Sequence, residues 1–271
     1  MKRKVPIWKR IARSSLMLLG IVGGLYAWNP QRLHYFAKPV TLPPIDPESK
    51  SLFKKGNRVT VVAGHPDDAE FFISGTLLKL HQAGAAITLI VVTDGDKSYY
   101  PSFLTNAEEN RKVRRAEQEE ASKAYGGKVV FLGGPDGRYD PDEQTLRTKL
   151  LAAIQDSRPD YLMAFDDEHV LKVQHRDHEN SGRATRELAP QTGAKWLLLF
   201  ATYAPTYWVD TTGTWDKRAQ LLAVHKSQFY GEKLGLIQGT VFDKALTEGE
   251  KIGKETAESF RAMRITPLHA R

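Results

Sequence analysis

From residue 57 onward the apolar positions fall into two kinds of pattern. Short runs, apolar at nearly every position, occupy 58–64 (RVTVVAG), 87–93 (ITLIVVT), 128–132 (KVVFL), 161–165 (YLMAF) and 196–201 (WLLLFA). Runs of this length and composition predict buried strands. Between them, 69–82, 107–125, 142–157 and 177–188 space their apolar residues as helices do, and Gly84 and Gly126 stand where helix C-terminal caps are expected. Strand–helix alternation predicts an α/β fold: a Rossmann-like, mostly parallel sheet with helices on both faces. Such sheets bind ligands at the carboxyl ends of their strands.

The first 28 residues follow neither pattern. Six of the first thirteen are Lys or Arg, and Ser14 to Trp28 are fifteen residues without a charge. A basic start and a short apolar run predict an N-terminal hydrophobic helix that serves as a signal anchor or signal peptide, residues 1–28. The run is shorter than the about 20 apolar residues of a spanning helix. Arg10 and Arg13 are placed to snorkel, and Trp28 to sit at the far interface. Leu25 makes a poor cleavage signal with Ala27, which favours an uncleaved anchor. The positive-inside rule then puts the body outside the cytoplasm, as a single-pass membrane protein, or secreted or periplasmic if the segment is cleaved. Residues 29–56, with Pro30, Pro39, Pro43, Pro44 and Pro47, read as a linker, and 57–271 as the folded domain.

Composition changes this picture twice. The 271 residues include no Cys, which excludes disulfides, thiolate metal sites and a thiol nucleophile. The net charge of +7 suggests a polyanion partner, but residues 1–45 hold eight basic residues and no acid. The remainder carries 31 basic against 32 acidic residues, so the body is not read as a nucleic-acid binder.

Two stretches offer chemistry. Gly64-His65-Pro66-Asp67-Asp68-Ala69-Glu70 follows the first strand. Its acids are suited to capping a helix, which leaves the His at the mouth of a buried strand unexplained. Gln174-His175-Arg176-Asp177-His178 follows the fourth, with two imidazoles on one helical face. On its own, this second stretch is more often a polar loop that opens a helix. Strands one and four can end side by side in a doubly wound sheet. The two stretches together then supply two imidazoles and a carboxylate, the ligand count of a catalytic zinc site with an open position, and leave acids and a His for proton transfer.

These motifs resemble those of the PIG-L/LmbE-like metal-dependent N-deacetylases. The resemblance runs from about residue 57 to the C-terminus. It takes in Thr93-Asp94-Gly95, Arg114-Arg115-Ala116-Glu117, Leu132-Gly133-Gly134-Pro135-Asp136-Gly137, Val209-Asp210-Thr211-Thr212 and His225-Lys226-Ser227-Gln228. Gln174 and Arg176 depart from the Gly and Pro usual in the second motif. The resemblance implies that His65, Asp68 and His178 bind Zn²⁺, one ion per chain, with Fe²⁺ or another divalent metal also compatible. It implies that Asp67 is the general base and that His175 stabilises the oxyanion. Asp177, close to both histidines, is expected to orient His175. Arg114 is expected either to bind a sugar or phosphate oxygen or to pair with Glu117. Asp136 is expected to bind a substrate hydroxyl or to stabilise its turn. His225 is either a supporting residue of the site or structural. Tyr203, Tyr207 and Trp208 either stack on a sugar or belong to the core.

The function so implied is deacetylation of an N-acetylglucosamine-type sugar or glycoconjugate. The alternatives are an amidase acting on a small thiol-sugar or lipid-linked sugar, a silent sugar-binding module, and a two-metal phosphoesterase.

Overall fold

The computed structural model describes Pro44 and residues 49–98, 106–170 and 176–267. The expected N-terminal hydrophobic helix and anchor lie outside these residues, and so does His175. No helix among the described residues is long and apolar enough to cross a membrane.

The five apolar runs form β1 (Arg58–Ala63), β2 (Ala86–Thr93), β3 (Gly127–Gly134), β4 (Tyr161–Phe165) and β5 (Trp196–Phe200). They pair in parallel, alternating with α1 (Asp68–Gln82), α2 (Ala107–Lys123), α3 (Gln144–Ser157) and α4 (Arg176–Leu188). Four elements that the apolar pattern did not predict follow: β6 (Tyr207–Asp210), α5 (Trp215–Val224), α6 (Gly231–Glu250) and β7 (Ala257–Arg264). β7 runs antiparallel to both β5 and β6. The result is a seven-stranded, mostly parallel sheet in the order β3-β2-β1-β4-β5-β7-β6.

Successive strand residues face opposite sides of the sheet, so Val61 and Leu89 enter one core and Val62 and Ile90 the other. Leu77 of α1 packs on the first face, Leu150 and Ile154 of α3 on the second. Leu52 is fully buried in the first core and its carbonyl accepts a hydrogen bond from the Asn57 side chain. The packed unit therefore reaches back into the stretch read as linker. The strand order reverses between β1 and β4, whose register pairs Val59 with Tyr161. The loops after these two strands diverge from that switch point, where an open α/β sheet places its ligands.

Candidate metal centre and active site

β1 delivers His65 to the carboxyl edge, and α1 begins at Asp68. α4 approaches the end of β1 so closely that a Cβ on Gly64 would lie 2.7 Å from His178 Cδ2. Only glycine fits there. The His178 ring stacks on Phe165 at 4.1 Å between centroids, which fixes its plane.

His65 Nδ1 and His178 Nε2 face each other at 3.1 Å. Asp68 Oδ1 lies 3.1 Å from His178 Nε2, and its Oδ2 lies 3.6 Å from His65 Nδ1. Ligands at about 2.0–2.2 Å from a tetrahedral zinc stand roughly 3.3–3.6 Å apart. Two facing imidazole nitrogens can share only one proton, whereas a cation between them satisfies both. The donor set fits a zinc-class ion.

The other side of His65 is also occupied. Nε2 lies 3.2 Å from Asp177 Oδ2 and 3.3 Å from Asp136 Oδ1. Asp177 is itself fixed, accepting from Gly137 N at 2.5 Å and Tyr139 N at 3.1 Å. Asp136 accepts from Lys97 N at 2.7 Å. A carboxylate on the outer nitrogen holds a ligating imidazole in one tautomer and orientation. Within the described residues Asp177 is turned to His65, a contact the motif alone did not suggest. Asp136 lies against the same imidazole and the Lys97 backbone.

Burial alone would lower the His65 pKa. Its bonds to Asp136, Asp177 and Asp68 outweigh burial and hold it well above the ordinary value. Burial opposes ionisation of Asp68, but the two imidazoles keep it well below the ordinary value. Asp136 likewise resists burial through His65 and the Lys97 amide, and is lowered to about 2.

Asp67 sits at φ 101°, ψ −22°, a left-handed conformation that costs a non-glycine residue about 1–3 kcal/mol. Three bonds sustain it. Its N–H donates to Gln118 Oε1 at 2.9 Å, and Arg114 Nη2 donates to its Oδ2 at 3.0 Å and to Pro66 O at 2.5 Å. Arg114 Nη1 donates to Gly95 O at 2.7 Å. The expected Arg114–Glu117 pair does not form, because Glu117 accepts from Ser227 N and Oγ. Arg114, only 3% exposed, therefore braces the loop and Asp67. The Asp67 pKa is raised, chiefly by burial, against the pull of Arg114. Its side chain keeps 14% exposure, against 5% for Asp68, so it is the more open of the adjacent carboxylates.

The apolar pattern missed the network beneath Asp67. Gln118 Nε2 donates to Glu70 Oε1 at 3.0 Å, as does Tyr125 Oη at 2.7 Å, and Glu70 Oε2 lies 3.1 Å from His225 Nε2. His225 is thus a buried support of the site, its pKa raised by Glu70 against the opposing effect of burial. The available signal was helical spacing of polar residues: Asn110, Arg114, Gln118 and Ser122 form one buried stripe on α2. Of the aromatic group, Tyr207 is buried in the core, Trp208 Nε1 donates to Glu248, and Tyr203 packs edge-on against His169.

A switch-point cluster of two imidazoles and a carboxylate, with the Asp67 carboxylate beside it, is an arrangement suited to metal-assisted hydrolysis. Residues 60–189 match the family model PIG-L, described as GlcNAc-PI de-N-acetylase, so just under half of the chain carries a PIG-L domain hit. It is 23% identical over 236 residues to the diacetylchitobiose deacetylase of Thermococcus kodakarensis, covering 80% of this chain and 87% of that protein. It is 31% identical over 130 residues to a probable N-acetyl-alpha-D-glucosaminyl L-malate deacetylase 2 of Bacillus cereus, covering 46% and 58%. The fold is shared with N,N'-diacetylchitobiose deacetylase from Pyrococcus horikoshii: TM-score 0.73, 24% identity, 88% of this chain and 93% of that one.

Proposed function

We propose that the chain is a zinc-dependent enzyme that removes the acetyl group from an N-acetylglucosamine-type sugar or glycoconjugate outside the cytoplasm. The observation that carries the chemistry is the His65–Asp68–His178 cluster, with nitrogens 3.1 Å apart and the raised carboxyl of Asp67 beside it. A zinc-class ion held by these three residues supplies Lewis acidity, polarising the amide carbonyl and lowering the pKa of water to about 7. Asp67 accepts the attacking water's proton and returns it to the nitrogen as the C–N bond breaks, giving acetate and an amine. His175 donates a hydrogen bond to the carbonyl oxygen as charge builds there. Asp136 and Asp177 hold His65, and Arg114 and Gln118 hold Asp67. The sugar assignment draws on relatives named for N-acetylglucosamine-type substrates.

The location rests on six basic residues ahead of a fifteen-residue uncharged run. Acetate release from N-acetylated sugars tests both parts, using the full chain in detergent and intact cells given a membrane-impermeant substrate. Both preparations are expected to be active. Asp67→Asn is expected to lower turnover by about 10²–10⁴-fold while keeping its metal. Near-wild-type turnover of that variant refutes the role of Asp67. Activity in detergent but not in intact cells refutes the location.

A further inference from the structure

The turn after α5, His225-Lys226-Ser227-Gln228, leaves only Lys226 exposed and buries three polar side chains. A buried polar group is costly unless it is bonded. Each of these three is bonded, and each to a different element around the metal centre. The backbone N–H groups of Gln228 and Phe229 both donate to His225 O, at 3.0 and 2.8 Å, which fixes the three side chains relative to one another.

His225 serves the Asp67 side. Its Nε2 faces Glu70 Oε2 of α1 at 3.1 Å. The other Glu70 oxygen accepts from Gln118 Nε2 at 3.0 Å and from Tyr125 Oη at 2.7 Å. A carboxylate only accepts, so Glu70 draws the donor end of the Gln118 amide and leaves Oε1 for the Asp67 N–H, 2.9 Å away. Turned the other way, Gln118 would set a donor against that N–H, and the left-handed backbone of Asp67 would lose a bond that sustains it. Gln228 serves the His65 side. Its Oε1 accepts from Ser98 Oγ at 2.7 Å, and its Nε2 donates to Ser98 O at 3.2 Å. The preceding residue, Lys97, donates its N–H to Asp136 Oδ2 at 2.7 Å, and Asp136 Oδ1 lies 3.3 Å from His65 Nε2. Ser227 ties the same turn to α2, donating from N and Oγ to Glu117 at 2.8 and 2.6 Å.

We propose that this turn is a clamp with two arms: His225 is a positioning residue for the general base Asp67, and Gln228 is one for the metal ligand His65. The role of Asp67 as base rests on the deacetylase reading. The arms share a turn and end on different groups, so they predict separate losses. Misplacing a reacting group by about 1 Å costs about 10²-fold in rate, whereas slackening the partner of a ligating imidazole costs metal affinity.

The experiment uses the full chain with three variants. His225→Asn is too short to reach Glu70, His225→Gln reaches as far as the lost nitrogen, and Gln228→Ala removes the second arm. Each is read for zinc affinity by competition with a chelator, for acetate release from N-acetylated sugars at saturating zinc, and for hydrogen exchange of the Asp67 amide without metal. His225→Asn is expected to lower turnover by roughly 10–100-fold and to speed Asp67 exchange about 10-fold, with zinc affinity and the exchange of β1 unchanged. His225→Gln is expected to restore both. Gln228→Ala is expected to weaken zinc binding by roughly 3–10-fold, with turnover at saturating zinc and Asp67 exchange unchanged. That loss is smaller than for a direct partner because Asn110 also holds Ser98 O, at 2.9 Å. If a variant does not fold, Tyr125→Phe for the first arm and Ser98→Ala for the second remove the next bond along and are read for the same loss. A turn that serves only stability gives faster exchange throughout the sheet and a lower Tm, with no separation of zinc affinity from turnover. That result, or the loss of one arm alone, overturns the clamp. A wild type that releases no acetate refutes the deacetylase reading, and zinc affinity and Asp67 exchange then decide the clamp.

Discussion

At the scale of the residue, His65 is the hinge of the site because both of its nitrogens are committed. Nδ1 faces His178 and Asp68, and Nε2 faces Asp177 and Asp136. The sequence motif alone places Asp177 beside His175 and His178 and suggests that it tunes one of them. In the structure it reaches across the switch point to the other motif. The two placements predict different outcomes for Asp177→Asn. If Asp177 supports His65, metal affinity is expected to weaken by about 10–100-fold, the usual cost of losing such a partner. If it supports only His175, affinity stays at the wild-type value and turnover at saturating metal falls instead. Competition for zinc against a chelator, followed by turnover at saturating zinc, separates the two.

At the scale of the element, β4 and β7 are fastened by a buried ion pair. Asp166, fully buried at the end of β4, accepts two bonds from Arg261 of β7, both at 2.8 Å. It also accepts from the N–H groups of Glu168 and His169, so it shapes the loop that leads towards α4. Burial raises its pKa, but Arg261 and the other donors outweigh this and leave it below 3.8. A depressed folded-state pKa means that the stabilisation is complete above the unfolded value and is lost as pH falls through the folded one. Asp166→Asn is therefore expected to cost about 3 kcal/mol at neutral pH, the low end for breaking a buried pair because Glu168 also accepts from Arg261. The difference from wild type should shrink below about pH 4. Denaturant unfolding across this range checks it, and a pH-independent difference contradicts it. The same pair explains why β7 escaped the sequence reading. Glu258 and Arg261 interrupt its apolar run, and both are buried because partners on other elements neutralise them. α2 escaped in the opposite sense: its position was legible, but its buried face is polar and apolar periodicity gave no hint of what it holds.

At the scale of the whole molecule, the parallel half of the sheet was legible because buried strands need continuous apolar runs. The switch point followed from strand–helix alternation, and with it the meeting of the two motifs. The antiparallel extension was not legible, since its strands and helices mix paired charges with apolar residues. The candidate ligands His65, Asp68 and His178 were legible as a motif. The supports around them, Asp177 on His65 and Gln118 and Glu70 beneath Asp67, were not, because each acts across a fold that brings residues 40 to 155 positions apart into contact. The central claim is that one catalytic ion is held by His65, Asp68 and His178. Metal counting on the full chain, stripped and then loaded with zinc, tests it directly. One ion per chain is expected for the wild type and for His175→Ala, and loss of that ion for His178→Ala. A wild-type count that stays near zero with zinc present, or His178→Ala binding as tightly as wild type, contradicts the account.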